Sequence, residues 1–221
     1  MKNEALIVVK DAGRVYRQND VMIEALKTAS CKILPRARIA IVGPSGSGKS
    51  TLLHLMAALD SQTTGMVSWP ALGTGRLRPA KIGYIPQEQS LVSTLTVSEN
   101  VELPLIIMGK TRNVAASETM NILETLGLLE IAAKLPAEIS GGQQKRAAMA
   151  RALAARPEII LADEPTGQLD HETANLFLDA VLAYIGGMET ALVIATHDRE
   201  AARRMETTWK IRHGILETEI V

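Results

Sequence analysis

Residues 43–51 constrain this chain more than any other stretch. They read Gly43, Pro44, Ser45, Gly46, Ser47, Gly48, Lys49, Ser50 and Thr51. The pattern G-x-x-x-x-G-K-[ST] falls on Gly43, Gly48, Lys49 and Ser50. Residues 38–42 before it are apolar and β-branched enough for a buried strand, and residues 50–59 after it are rich in Leu, Met and Ala, as a helix would be. Glycines let a backbone wrap closely round a polyphosphate, so that successive N–H groups point inward as an anion nest. The helix that follows adds the positive end of its dipole. Lys49 is expected to reach the β- and γ-phosphates, and the Ser50 hydroxyl to complete an oxygen shell for Mg²⁺. An ordinary strand-to-helix turn needs neither the lysine nor three spaced glycines. The stretch reads as a site for a nucleoside triphosphate.

A second feature supports this. Residues 159–162 form a short apolar run that ends in Asp163 and Glu164. Two adjacent carboxylates at the end of a buried strand are costly unless they serve a cation or a proton transfer. Beside a phosphate loop, Asp163 reads as the Mg²⁺ partner and Glu164 as the base for a water. Another buried strand, residues 191–195, ends in Thr196, His197 and Asp198, where open α/β sheets bind ligands. Ser140, Gly141 and Gly142 open a helical run at 144–155 and make either a second anion site or a plain N-cap. Tyr16 offers a ring that either stacks on a base or packs in a half-buried strand.

Composition limits the alternatives. A chain of 221 residues suits one domain, or one core with an inserted subdomain. It is 47% hydrophobic with a single Phe, so Leu, Ile, Val, Ala and Met must fill its core. A formal net charge of zero does not indicate attraction to nucleic acid. The lone Cys31 forbids an internal disulfide, suits a reducing compartment and is expected to be a small buried residue. No signal peptide is visible at the start, and no stretch approaches the ~20 apolar residues that span a bilayer. The expectation is a soluble, cytosolic protein that meets a membrane only through a partner.

Along the chain, residues 5–9, 24–28 and 31–42 suggest strands. Residues 66–69 and 81–85 suggest two more, with an exposed loop at 70–79. From Gln87 to Ala155 the pattern is helical. Pro104 is expected to break the first helix or delay its start, and Gly127 to end the second. The C-terminal residues 209–219 read as a hairpin about His213 and Gly214.

Taken together, these residues resemble the ATP-binding cassette (ABC) ATPases over almost the whole chain. The most specific part is Ile139, Ser140, Gly141, Gly142 and Gln143, followed by Gln144, Lys145 and Arg146, which is similar to the family signature. The run from Asp163 to Asp170 resembles the Walker B and D-loop stretch, Gln87 the Q-loop and His197 the switch histidine. The resemblance implies an α/β P-loop NTPase core, residues 1–86 and 156–221, with an N-terminal antiparallel β region. It also implies an inserted α-helical subdomain, residues 87–155.

It implies roles as well. The ligands are ATP and Mg²⁺, the metal held by Ser50, Gln87 and Asp163. Glu164 activates the water, His197 contacts the γ-phosphate, and Lys49 and Gln87 complete the catalytic set. Tyr16 stacks on adenine. Residues 43–51 grip the phosphates of one nucleotide, while Ser140, Gly141, Gly142, Gln143 and Asp170 serve the nucleotide of a second, head-to-tail cassette. Leu59, Asp60 and residues 99–105 are similar to one subgroup, the lipoprotein-releasing, macrolide-export, haem-export and cell-division-type ATPases. That implies a permease partner at the cytoplasmic face of the membrane and leaves room for a periplasmic or extracytoplasmic adaptor. The alternatives within the cassette are a mechanotransmitting subunit that moves no substrate and a soluble ABC ATPase. Ile139 stands where the family usually has Leu, Lys145 where it usually has Gln, and the stretch 69–81 is short.

Overall fold

The computed structural model describes residues 4–73, 75–88 and 90–218. A long antiparallel hairpin opens the chain, with β1 (Ile7–Gln18) and β2 (Val21–Ile33) turning at Asn19, whose φ of 55° its short polar side chain tolerates. β3 (Arg38–Val42) leads through the glycine-rich loop into α1 (Lys49–Met56), and β4 (Thr64–Ser68) returns to pair with β1. After β5 (Ile82–Ile85) come three helices, α2 (Val97–Ile107), α3 (Arg112–Thr125) and α4 (Gly141–Ala154). The chain closes with β6 (Ile159–Asp163), α5 (His171–Ile185), β7 (Ala191–Thr196), α6 (Arg199–Arg203), β8 (Thr207–Arg212) and β9 (Ile215–Thr218).

Among the described residues these strands form one sheet in the order β4-β1-β2-β9-β8-β3-β7-β6-β5. The central strands are parallel, β3 with β7, β7 with β6, and β6 with β5. Their interiors are apolar because both faces are covered, and polar residues come only at the ends, Arg38, Asp163 and Thr196. Side chains alternate between two cores: Ala40, Ile160, Ala162, Leu192 and Ile194 pack against α2 to α6, whereas Ile39, Ile41, Ile159, Leu161, Val193 and Ala195 pack with α1 and the β1–β2 hairpin. All parallel strands point their C-terminal ends the same way, so Val42, Asp163 and Thr196 finish side by side.

Two expectations need correction. Pro104 neither breaks nor delays α2. A capping box fixes the start at Val97, with the Thr96 hydroxyl accepting from Glu99 N and Glu99 Oε2 accepting from Thr96 N. The proline falls in the last turn, so the one i→i−4 bond it removes lies at the end of the helix and only three helical residues follow it. The opening strands are also longer than the short apolar runs suggested, since register shifts between Val9 and Val15 carry the pairing through polar residues. The periodicity of Ala174, Phe177, Leu178, Val181 and Ile185 behind the N-cap Asp170 marks α5, an element the sequence reading passed over. The C-terminal hairpin forms about His213 and Gly214, both at positive φ; Glu219 lies outside the described residues.

Candidate functional site

The phosphate loop is held from behind by two segments. Gly214 N donates to Ser47 O at 3.1 Å, so the C-terminal turn braces the loop. Gly48 sits at φ 108°, and a Cβ there would stand 2.6 Å from the carbonyl of Ala25 in β2. Only glycine fits that conformation and that approach. Lys49 is 7% exposed, and its ammonium donates to Gly43 O at 2.8 Å and Pro44 O at 3.2 Å, arching over the loop. No side chain caps α1, which leaves its first N–H groups to a ligand.

The strand ends bring the rest. A cavity of about 460 Å³ is lined by residues 45–51 together with Gln87, Asp163, Glu164 and His197. Asp163 is 2% exposed. Burial pushes its carboxyl above the ordinary carboxylate value, the Ser50 hydroxyl opposes this by hydrogen bonding, and the Glu164 charge adds to the rise. Its Oδ1 is buried without a hydrogen-bond partner. An orphaned carboxylate oxygen beside a serine hydroxyl, with a glutamine in the same cavity, is an oxygen donor set that fits Mg²⁺.

Glu164 is also buried, at φ 49°, a left-handed conformation unusual for a residue with a side chain. Its N–H is fixed to Ala195 O at 2.8 Å, its Oε2 accepts from Thr196 Oγ1 at 3.2 Å, and its Oε1 lies 2.8 Å from His197 Nδ1. The carboxylate is thereby oriented by two residues at the end of the neighbouring strand.

Other expected site residues lie elsewhere. Gly43 and Pro44, whose carbonyls the Lys49 ammonium reaches, line a neighbouring basic cavity with Arg199, Arg203, Lys210 and Arg212 that shares His197 with the loop cavity. Tyr16 stands in β1 opposite Ile23, outside the lining of the loop cavity. Its hydroxyl donates to Asp60 Oδ2 at 2.7 Å, and the Arg14 guanidinium covers one ring face at 4.6 Å. Ser140 and Gln143 form a capping box at the start of α4, and Gly142 is pressed against Leu169, whose Cδ2 would be 2.6 Å from a Cβ. Asp170 caps α5 through Thr173. None of Ser140, Gly141, Gly142, Gln143 or Asp170 is among the residues lining the loop cavity of the same chain.

The sequence reading missed Ile23, Glu24 and Ala25, which line that cavity from β2. What brings them there is the hairpin register, which sets Ile23 opposite Tyr16 and is visible only in the folded chain. Cys31 is no candidate nucleophile, since burial pushes its thiol up to about 12.

Comparison with known proteins agrees with this geometry. Residues 26–167 match the model of the family described as ABC transporter. The chain is 39% identical over 222 residues to the lipoprotein-releasing system ATP-binding protein LolD of Legionella pneumophila, covering 97% of this chain and 98% of that one. It is 37% identical over 217 residues to the protein of the same name from Rickettsia felis, with 97% and 98% covered. Among solved structures, the ATP-binding cassette MJ0796, a dimer in a post-hydrolysis state bound to ADP and Pi, superposes with a TM-score of 0.87 at 33% identity. That match covers 96% of this chain and 98% of the other.

Proposed function

The chain belongs to the ABC transporter family, and from that premise we propose that it is the ATP-hydrolysing subunit of a membrane transporter of the lipoprotein-release and macrolide-export kind. It binds and hydrolyses ATP. The observation that carries the hydrolytic reading is the convergence of Lys49, Gln87, Asp163, Glu164 and His197 on one cavity. We read residues 1–86 and 156–221 as the catalytic core and residues 87–155 as a helical subdomain inserted into it.

Each residue then has a task. The loop amides and Lys49 hold the β- and γ-phosphates and stabilise charge that grows on them during transfer. Ser50, Asp163 and Gln87 would hold Mg²⁺. When bound, the metal offsets phosphate charge and fixes the geometry of the oxygens. Glu164 takes a proton from the water that attacks the γ-phosphorus, while the bond to the bridging oxygen breaks and ADP leaves. His197 keeps the Glu164 carboxylate aimed and meets the γ-phosphate with its other nitrogen. Tyr16 is read as the residue that stacks on adenine.

One chain supplies one phosphate loop and one signature helix. The helix start at Ser140 is read as serving the nucleotide of a second copy, with Asp170 beside it, so that ATP closes a head-to-tail dimer. Hydrolysis removes the bonds that the γ-phosphate makes across that interface.

The partner that couples this closure to a membrane is read as a permease. Among the described residues no helix is long and apolar enough to cross a membrane. An apolar cleft of about 270 Å³ lies between Tyr84, Leu103, Pro104 and Ile107, with Ile106 and Met108 exposed nearby. A cytoplasmic helix of the permease would seat there, placing the chain at the cytoplasmic face of the membrane. The relatives' name points to lipid-modified protein as cargo. Co-expression with a candidate permease tests the reading. The chain is expected in the membrane fraction, Leu103→Asp and Ile107→Asp to release it, and a lipidated protein in detergent to stimulate ATPase activity. A chain that stays soluble beside its permease would overturn the transporter assignment.

A further inference from the structure

The segment that carries Gln87 is gripped from α4 at two places. Lys145, 6% exposed, donates its ammonium to the carbonyl of Pro86 at 3.2 Å and to the carbonyl of Gln87. Six residues further along, Arg151 donates to Ser90 O at 2.7 Å and to Ser90 Oγ at 3.0 Å. Lys145 also borders a cavity of about 670 Å³ shared with Gln87, Glu164 and His197. Burial holds its pKa below the ordinary lysine value, against the pull of the Asp163 and Glu164 charges.

A buried ammonium is expensive unless it is hydrogen-bonded and paired. Here its described hydrogen bonds go to two main-chain carbonyls on either side of the Gln87 Cα. Their effect is to fix the backbone from which the Gln87 side chain departs. The family's usual glutamine at position 145 would be one bond shorter and would donate from a neutral amide. Lysine reaches further, and it brings a positive charge next to the acidic pair.

We propose that Lys145 is a positioning residue for ATP hydrolysis, holding the Gln87 loop against the helix that begins at Ser140. The proposal rests on the reading of Gln87 as a ligand in the hydrolytic site. It gives α4 a direct tie between its signature end and the Gln87 loop. The tie does not depend on nucleotide contacts.

The test uses the full chain, with hydrogen exchange of the peptide spanning residues 85–91 read beside turnover and ATP affinity. Lys145→Met, which keeps an unbranched apolar stem but removes the donors, is expected to speed exchange of that peptide by about tenfold. Turnover should fall by about tenfold with ATP affinity changed less than about twofold. Lys145→Arg should restore both, and Lys145→Gln should lie between. Exchange in β6 and β7 should not change, which separates a local tie from general loosening of the core. Wild-type exchange and turnover in Lys145→Met would overturn the proposal, as would exchange that rises equally in β6 and β7. Gln87→Ala separates the two ideas. If it slows turnover while Lys145→Met does not, the tie is irrelevant and the Gln87 reading stands. If Lys145→Met loosens the loop while neither variant slows turnover, the Gln87 reading has failed and the positioning role with it.

Discussion

Nδ1 of His197 lies 2.8 Å from Oε1 of Glu164, although the two residues are 33 positions apart in the chain. They meet because β6 and β7 are parallel neighbours whose C-terminal ends coincide, with Asp163 paired to Ala195. A charged carboxylate can only accept, so the proton of this bond sits on Nδ1 when Glu164 is ionised. The contact orients the Glu164 carboxylate and leaves Nε2 directed elsewhere.

Glu164→Gln should therefore keep the site's shape, because an amide oxygen still accepts from His197. It removes the proposed base. Turnover is expected to fall by ~10²–10⁴-fold while ATP binding persists, and the variant should accumulate as an ATP-bound dimer on size exclusion. Turnover near that of the wild type would take Glu164 out of the role.

Asp163→Asn should separate stability from activity. The folded-state pKa of Asp163 is raised, chiefly by burial, so the folded chain binds its proton more tightly than the unfolded chain does. That contribution is present below the ordinary value of 3.8 and is lost as pH rises through the higher folded value. In EDTA at pH 7 the Asn variant is expected to melt roughly 2–4 °C above wild type, the shift that ~1 kcal/mol gives in a chain of this size. The gap should close toward pH 4, and Mg²⁺-dependent ATPase should vanish. A lower melting temperature at pH 7 would contradict the assigned cost of burying this carboxylate.

Replacing Tyr16 tests the base pocket. Tyr16→Ala is expected to weaken ATP binding by roughly 1–3 kcal/mol, the worth of one stacked base. Phe keeps the ring face opposite Arg14 but loses the bond to Asp60, so it should bind ATP almost normally and melt slightly lower. Unchanged affinity in the Ala variant, measured by calorimetry, would leave Tyr16 as packing.

Crosslinking tests the head-to-tail arrangement. Gly142 is a poor place for a cysteine, since its Cβ would meet Leu169; Gln143 is better. Ser45→Cys and Gln143→Cys, in a Cys31→Ser and Glu164→Gln background, should be joined between two chains by a short bismaleimide when ATP is present. Adding Lys49→Ala should abolish the product. Links confined to single chains on a denaturing gel would contradict the arrangement.

Much of the site was readable because its chemistry is local. The nest of residues 43–51, the acidic pair closing β6 and the Ser140 helix start each need particular residue types next to one another, and adjacency is what a sequence records. The start of α2 was less readable. The linear reading rested on Pro104 and made no use of Thr96 and Glu99, whereas in the fold their capping box sets the start and the proline falls in the last turn.

The sequence by itself determined which groups this protein has for handling a nucleoside triphosphate, and that its central strands are buried on both faces. Only the tertiary structure decided which of those groups meet. Ile23 to Ala25 reach the phosphate loop through a hairpin register, Lys145 finds Gln87 across 58 positions, and His197 finds Glu164 through strand order. The physical reason is that apolar periodicity states which face of an element is buried and says nothing of what buries it. That choice is made by sheet order and by the packing of α2 to α6 and of α1 on opposite faces of it, both of which depend on contacts far apart in the chain.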